Sequence, residues 1–316
     1  MDYTNLLLPA GGAFPVEQYL IRHWDYSLMM TVGAQRLALI DEFCSLEIIP
    51  RYYYEDPIEP TGFRVPTQLE IELILRPLRS DDMRKLAWII QQRHDLFPIL
   101  IRDYYDTSNS DHERLMAYWM RAADEGNQIL LAVINDERPF SFAPPYDDDP
   151  YRWTSIVYVL PEVIGPILVR LPDEDTIRWT DLPPWCLYQR QVFRRRLYLQ
   201  KKLKPEEWMQ DPDRMIESCG SCLHCCICAV IVILVDRIAF ETGLPLLIFV
   251  DYNANTIRSI RFNLNRDTIR DIINDRTNAS ETPWMWQQSE VGDNYRATGN
   301  LAQRLYQLTD ADFADP

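Results

Sequence analysis

The chain has 316 residues, of which 47% are hydrophobic and 12% aromatic, so it is long enough and apolar enough to bury a sizeable core. Its 47 acidic residues outnumber its 32 basic residues, and the resulting net charge of −15 should repel phosphate backbones and anionic lipid. The composition therefore predicts a folded acidic protein and argues against nucleic-acid binding by the whole molecule.

The amino-terminal segment argues against export, and the longest apolar run argues against a membrane span. Asp2 stands where a secretory signal carries positive charge, and the apolar stretch that follows is too short for a signal sequence. The run 223–235 is shorter than the roughly 20 residues that a membrane span needs. Seven cysteines without an export signal indicate reduced thiols. We therefore expect an intracellular protein, in the cytoplasm or the nucleus.

Two helices are predicted in the first half of the chain. Residues 67–75 are apolar in a way that fits either a helix or a strand. Residues 80–93 begin with Ser80 and two acids and then place apolar residues at helical spacing. Residues 111–124 repeat this pattern, and Gly126 ends it. Both segments are predicted to be helices.

Short runs of apolar and β-branched residues come next, and each is predicted to be a strand. They are residues 128–134, 153–160 and 167–171. A basic amphipathic helix is then predicted over 189–204, ahead of a segment in which five cysteines fall within ten residues.

A β-hairpin is predicted near the carboxyl end. Residues 244–250 and 256–262 are apolar runs that flank a polar turn of five residues. The tail from residue 276 is polar, with Trp284 and Trp286 as candidate anchors.

Three local features of this series resemble one family of cysteine proteases. The strand 128–134 is followed by the pair Arg152-Trp153, and Ser218-Cys219-Gly220 opens an apolar run after that. Arg152 and Cys219 are 67 residues apart. Over residues 80–240 the chain resembles the ubiquitin-like-protein (SUMO) proteases and the adenovirus-type endopeptidases.

The resemblance implies a fold. It implies an α+β, cysteine-protease-like domain with a central mixed sheet, packed by a buried helix that starts at Cys219-Gly220. This helix would lie against strands at 129–134 and 154–160. The expected domains are an N-terminal extension over 1–65, the protease-like domain over 66–275 and a C-terminal tail over 276–316.

The resemblance also implies site residues, and three of them depart from the family's pattern. Cys219 takes the place of the nucleophile. Arg152 stands at the family's histidine position, and a guanidinium that is always charged cannot act as a general base. Asp173 is the nearest acid to the family's orienting carboxylate. Asp213 stands at the glutamine position, where its charge would oppose an oxyanion. The chain is therefore expected to be a degenerate protease that acts as a protein-interaction module.

Two other interpretations remain open. An active protease or isopeptidase for ubiquitin-like proteins would use Cys219 with a base from elsewhere, and the chain has only four histidines for that role. They are His23, His94, His112 and His224. Alternatively, the order of strand, loop and helix in an unrelated α/β protein merely imitates the family.

The cysteine segment also permits a metal site or plain core packing. Four thiols form a C-x2-C-x2-C-x2-C run that approaches an iron–sulfur spacing, but apolar residues follow at once where a wrapping loop is needed. These thiols are Cys219, Cys222, Cys225 and Cys228. Cysteine also packs well as a small buried hydrophobe, which is the plainer role for most of this segment. The β-branched content of 229–235 by itself favours a strand, and only the resemblance makes it helical.

A protein is the expected partner. The basic helix 189–204 could bind an acidic protein, although such a helix is more often a solvated face. The resemblance adds a ubiquitin-like modifier as a candidate partner. We expect no cofactor, no membrane association and no nucleic acid.

We predict that the purified protein contains no stoichiometric iron or zinc, because the four thiols lack a wrapping loop and a second ligand pair. Elemental analysis of protein prepared without oxygen checks this. A stoichiometric metal that disappears when Cys222 and Cys225 are replaced by serine would contradict it.

Overall fold

The fold was analysed in a computed structural model. It describes residues 14–45, 66–75, 81–92, 98–106, 108–124, 132–142, 152–164, 199, 202–211, 228, 230–251, 254–277, 284–296 and 299. The chain divides into two compact units. The first takes its described residues from Met1–His94 and Thr154–Leu182, and the second from Asp95–Trp153 and Pro183–Pro316. The predicted boundaries at 65 and 275 stay a prediction.

The described residues of the first unit include four α-helices. They are α1 (Pro15–His23), α2 (Val32–Ser45), α3 (Gln68–Leu75) and α4 (Asp81–Gln92). Leu20 of α1, Ile40 of α2 and Ile74 of α3 are each fully buried, and α1 packs against α2 and α3. The prediction of a helix over 80–93 is confirmed by α4, and the ambiguous segment 67–75 is helical.

Two buried polar contacts hold these helices in place. Arg36 of α2 donates to the carbonyl oxygens of Ile74 at 3.0 Å and Leu73 at 3.1 Å. It thereby satisfies carbonyls in the last turn of α3, which have no partner within their own helix. Arg84 of α4 donates two hydrogen bonds of 3.2 Å to the buried carboxylate of Glu17 in α1. The attraction between the two charges offsets the desolvation cost of burying this carboxylate.

A six-stranded mixed sheet forms the second unit. Its strands are β1 (Ile99–Arg102), β2 (Ala132–Ile134), β3 (Val230–Val235), β4 (Leu246–Val250), β5 (Thr256–Arg261) and β6 (Glu290–Val291). Their order is β2-β1-β3-β4-β5-β6. β1 pairs in parallel with β2 and β3, and the other neighbours are antiparallel. The expected α+β class with a mixed sheet and the predicted hairpin are confirmed.

The predicted buried helix is wrong over its apolar part. Residues Val230–Val235 form β3, which lies between β1 and β4. All six side chains are buried, so both faces of the strand are covered. Five of the six residues are β-branched, and such side chains pack well on a pleated surface. Cys219 itself lies outside the described residues.

The predicted strand over 153–160 is also wrong. Residues Arg152–Tyr158 form a 3-10 helix, and a second one follows at Pro161–Ile164. Trp153, Ile156 and Val159 are fully buried and stand three residues apart. A 3-10 helix has three residues per turn, so Trp153 and Ile156 lie on the same buried face of Arg152–Tyr158. The expected packing of a buried helix against strands at 129–134 and 154–160 is therefore wrong, and of the two predicted strands only 129–134 contains one, β2.

Helices accompany the sheet. They are α5 (Ser110–Asp124), α6 (Pro205–Gln210), α7 (Arg237–Thr242), α8 (Arg266–Thr277) and α9 (Trp284–Gln288). The prediction of a helix over 111–124 is confirmed by α5. Trp286 is buried against Phe249 of β4, with ring centroids 4.9 Å apart, so this tryptophan is an anchor as predicted.

Other predicted segments are only partly described. Within 189–204, residues Leu199, Lys202 and Leu203 are helical, and the remainder except Lys204 lies outside the described residues. The predicted strand 167–171 lies entirely outside them. Among the described helices, none has the length and apolar character that a membrane crossing requires.

Gly292 is required by a close approach of two backbones. Its amide donates to the carbonyl of Ile257 at 2.8 Å as the chain leaves β6. Its φ of −66° suits any residue, but a Cβ atom there would overlap the carbonyl group of Thr256. Space, rather than backbone conformation, therefore excludes a side chain at this position.

We predict that Gly292→Ala lowers the free energy of unfolding by about 1–3 kcal/mol, because the methyl group displaces the β5–β6 edge. Gly33→Ala is the matched control, since a Cβ at Gly33 meets no atom within 4 Å. The control should be neutral or stabilising by up to about 1 kcal/mol. Denaturant unfolding of both variants checks this. Equal effects of the two substitutions would contradict the close approach.

Candidate functional site

The strand order of the sheet reverses at β1, because the strands that come after β1 in the chain lie on opposite sides of it. From β1 the chain passes through α5 to β2 on one side, and β3 lies on the other side of β1. In open α/β sheets, ligands bind outside the carboxyl ends of strands at such a reversal. Asp103 directly follows β1 and Asp236 directly follows β3, so two acids occupy this position.

Asp236 has structural partners for both of its carboxylate oxygens. Its Oδ1 accepts from the amide of Ala239 at 2.8 Å, which caps the amino end of α7. The guanidinium of Arg261 donates to Oδ1 at 2.6 Å and to Oδ2 as well. The paired bonds form a bidentate ion pair. Asp236 therefore fixes α7 and the end of β5 to the end of β3.

At Asp103, by contrast, one oxygen of a buried carboxyl group has no such partner among the described residues. The residue is 2% exposed, and its amide donates to the carbonyl of Val235 at 3.2 Å, which extends the pairing of β1 with β3. Its Oδ1 is buried and has no hydrogen-bond partner among the described residues. Leaving a buried polar atom unpaired typically costs about 1–3 kcal/mol. A structural role does not account for this arrangement.

Burial and, as a smaller contribution, the negative charge of Asp236 raise the pKa of Asp103 to about 7. The positive charges of Arg152 and Arg261 oppose this rise. A carboxyl group with a pKa near neutrality exchanges its proton at physiological pH, as acid–base groups of enzymes do.

Arg152 lies beside this carboxyl group. One guanidinium nitrogen donates to the main-chain carbonyl oxygen of Asp103. The guanidinium also lies over the ring of Phe140, 5.3 Å from its centroid. Arg152, which the resemblance places at a histidine position, therefore anchors the backbone at the end of β1. Of the predicted site residues, it is the one that the described structure places next to a candidate acid–base group.

A second arginine holds the strand end and the first turn of α5 together. Arg102 is 3% exposed, and its Nη1 donates to Glu113 of α5 at 2.7 Å. Its Nε donates to the carbonyl oxygen of Tyr104 at 2.9 Å. The guanidinium also stacks over Tyr105 and Phe240, at 4.6 and 5.3 Å from their ring centroids.

The imidazole of His112 contributes a second unpaired polar atom. The Asn109 Oδ1 accepts from the amide of Asp111 at 3.1 Å, which fixes the orientation of that side-chain amide. Its nitrogen therefore donates to His112 Nε2 at 3.0 Å. In the neutral ring the proton is then on Nδ1, which is buried without a partner among the described residues. His112 stacks on Phe240 of α7 with ring centroids 4.3 Å apart, and it contacts Tyr104 next to Asp103.

Most predicted site residues fall outside the described part of the chain. These are Cys219, Asp173 and Asp213, together with Cys222 and Cys225 of the alternative metal site. Cys228 is described, and its buried Sγ donates to the carbonyl of Val230 at 3.4 Å. Among the described residues, no group of three or more His, Cys, Asp or Glu could hold a metal ion.

The one other thiol in the described residues is Cys44 of α2. Burial raises its pKa to about 12, and the nearby carboxylates of Asp41 and Glu162 act in the same direction. A thiol with this pKa stays protonated at neutral pH and is a poor nucleophile.

The sequence held a signal for Asp103 and Asp236 that the interpretation missed. Asp236 directly follows the apolar run 230–235, and Asp103 follows the apolar run 99–101 after one residue, Arg102. Because 229–235 was predicted to be a helix, Asp236 was not recognised as the residue that follows a strand. His112 was considered only as a possible catalytic base for Cys219.

The chain matches no family model, and comparison with curated proteins and with solved structures found no match either. The site is therefore interpreted from its own geometry.

We predict that Asp103→Asn stabilises the protein more at pH 8 than at pH 5. The folded pKa of about 7 lies above the ordinary 3.8, so the unfolded chain releases this proton first and stability falls as pH rises from about 4 to 7. At about 1.4 kcal/mol per pKa unit, the ionised carboxyl costs a few kcal/mol above pH 7. Denaturant unfolding at both pH values measures the difference.

Asp267→Asn serves as the control, because Asp267 is an exposed acid of α8 in the same unit. Its effect should not depend on pH in this range. An equal effect of Asp103→Asn at pH 5 and pH 8 would contradict the raised pKa.

Proposed function

We propose that this chain is a catalytically impaired, SUMO-protease-like protein that acts as a protein-interaction module inside the cell. The observation that carries the interaction role is an exposed apolar loop in the first unit. The impaired catalysis rests on Arg152, which the resemblance places at the histidine position.

The apolar loop joins α1 to α2. Tyr26, Leu28 and Met30 are each between 44% and 48% exposed, and Met29 is fully exposed. Neighbouring exposed apolar side chains are unfavourable in water, and in folded proteins they commonly mark a binding surface. Methionine suits such a surface because its flexible thioether adapts to the partner's shape.

Hydrogen bonds at both ends of the loop give it a defined conformation. Asp25 Oδ1 accepts from the amide of Ser27 at 2.8 Å and from its hydroxyl at 2.6 Å. Gln35 of α2 donates to the carbonyl oxygen of Asp25 at 3.1 Å. Thr31 accepts from the amide of Ala34 at 3.2 Å and caps the start of α2. The apolar side chains are thus presented by an ordered turn, which reduces the entropy lost on binding.

The chemistry at Arg152 supports impaired catalysis. Its guanidinium cannot accept a proton from a thiol, and it is engaged with the main chain at Asp103. A ubiquitin-like modifier is the partner that the resemblance suggests, and an acidic protein bound at 189–204 is the other candidate.

Two alternative functions stay predictions. An active cysteine protease or isopeptidase would use Cys219, and a metal protein would use the four spaced thiols from Cys219 to Cys228. Neither is favoured by a contact among the described residues.

We predict that the chain binds ubiquitin or SUMO through the loop of Tyr26, Leu28, Met29 and Met30 and does not cleave fluorogenic conjugates of either. Met29→Asp should weaken binding at least tenfold, because it places a charge in an apolar contact; tenfold corresponds to about 1.4 kcal/mol. Leu69→Asp is the matched control, since Leu69 is 78% exposed on α3 and lies outside the loop. NMR titration and a fluorescence assay provide the two readouts.

Two results would contradict the proposal. Equal affinity of Met29→Asp and the unaltered chain for the modifier would remove the loop from the interaction. Cleavage by the unaltered chain that is abolished by Cys219→Ala would establish the active-protease alternative instead.

A further inference from the structure

A second site, independent of the apolar loop, is indicated where β1 and β3 end. Two buried polar atoms in this region lack a hydrogen-bond partner among the described residues, Asp103 Oδ1 and His112 Nδ1. Buried polar groups are almost always paired, so two such exceptions at the carboxyl ends of parallel strands require an explanation. The reversal of strand order at this point is where α/β sheets bind their ligands.

We infer that the carboxyl ends of β1 and β3 bind a small polyhydroxylated molecule, with Asp103 accepting a hydrogen bond from one hydroxyl and His112 Nδ1–H donating to another. The two unpaired atoms have opposite hydrogen-bonding roles, because one is an acceptor and the other is a donor in the neutral ring. A hydroxyl group both donates and accepts, so a ligand with several hydroxyls satisfies both atoms.

Other ligand classes fit these atoms less well. A divalent cation needs several oxygen ligands, and both oxygens of Asp236 already bind Arg261. An ammonium group can donate to Asp103 but cannot accept from an N–H group. A hydroxyl ligand meets both requirements without adding charge.

The charges around Asp103 favour an uncharged ligand. The carboxylate of Asp236 lies on one side, and the guanidinium groups of Arg152 and Arg261 balance the two acids when Asp103 is ionised. A neutral hydroxyl group therefore leaves the net charge of this site unchanged when it binds. The aromatic rings of Tyr104 and Phe240 flank His112 and hold its imidazole in place.

Entry of the ligand requires side chains to move. Asp103 Oδ1 and His112 Nδ1 are inaccessible to solvent in this conformation. Arg152, Tyr104 and the ring of His112 are only half-buried. Movement of these side chains opens a route for a ligand to reach the carboxyl group of Asp103.

Binding should depend on pH through Asp103. The ionised carboxylate is the better acceptor, so hydroxyl donors stabilise it and lower its pKa from about 7. The ionised fraction rises about tenfold between pH 6 and pH 8 for such a group, and the affinity should rise by the same factor.

The test is 13C NMR of aspartate-labelled full-length protein with D-glucose, D-ribose and myo-inositol as probes. The Asp103 signal is assigned by its loss in Asp103→Asn. At least one probe should lower the pKa of Asp103 and bind about tenfold more tightly at pH 8 than at pH 6. Asp103→Asn should lose this pH dependence, and His112→Phe should weaken binding while keeping the ring on Phe240. Asp267→Asn should behave like the unaltered chain.

Three outcomes would overturn the inference. In the first, Asp103 titrates near 4, as an ordinary exposed acid does. In the second, none of the three probes changes its titration. In the third, Mn²⁺ broadens its signal while the probes leave it unchanged, which would indicate a cation site. Binding of ubiquitin or SUMO at the apolar loop should be the same for Asp103→Asn, so failure of one proposal is distinguishable from failure of the other.

Discussion

The burial of β3 between β1 and β4 is the constraint on which the second unit depends. All six residues of this strand are buried, and its backbone pairs with a parallel neighbour on one side and an antiparallel neighbour on the other. Because β3 lies in parallel beside β1, the residues after both strands meet at one edge of the sheet. This pairing brings Asp103 and Asp236 together although they are far apart in the sequence.

The two acids at this edge have different roles because their surroundings differ. Asp236 is stabilised by a helix amide and by Arg261, so its charge contributes to the fold. Asp103 is buried with an unpaired oxygen, so its charge is a cost that the rest of the fold must offset. Proteins commonly retain such a cost at functional sites, where a perturbed proton affinity or an open hydrogen-bonding position is useful.

Local patterns in the sequence predicted the elements that depend on local interactions. The helices α4 and α5 and the hairpin of β4 and β5 follow from spacing, caps and turn residues. The segment 153–160 was assigned to a strand because its apolar residues did not distinguish a two-residue from a three-residue period. For 229–235, the resemblance to the SUMO proteases outweighed the β-branched composition, which favoured a strand. The pairing of Asp103 with Asp236 could not be predicted, because it requires knowing which strands are neighbours.

The central claim is therefore that residues 230–235 form a strand between β1 and β4. Nuclear Overhauser effects measured on isotopically labelled protein test it most directly. The structure predicts cross-strand contacts that follow the antiparallel register, with Val232 opposite Ile248 and Val230 opposite Val250. Sequential amide contacts of the helical type across 230–235, without cross-strand contacts to β4, would contradict the account.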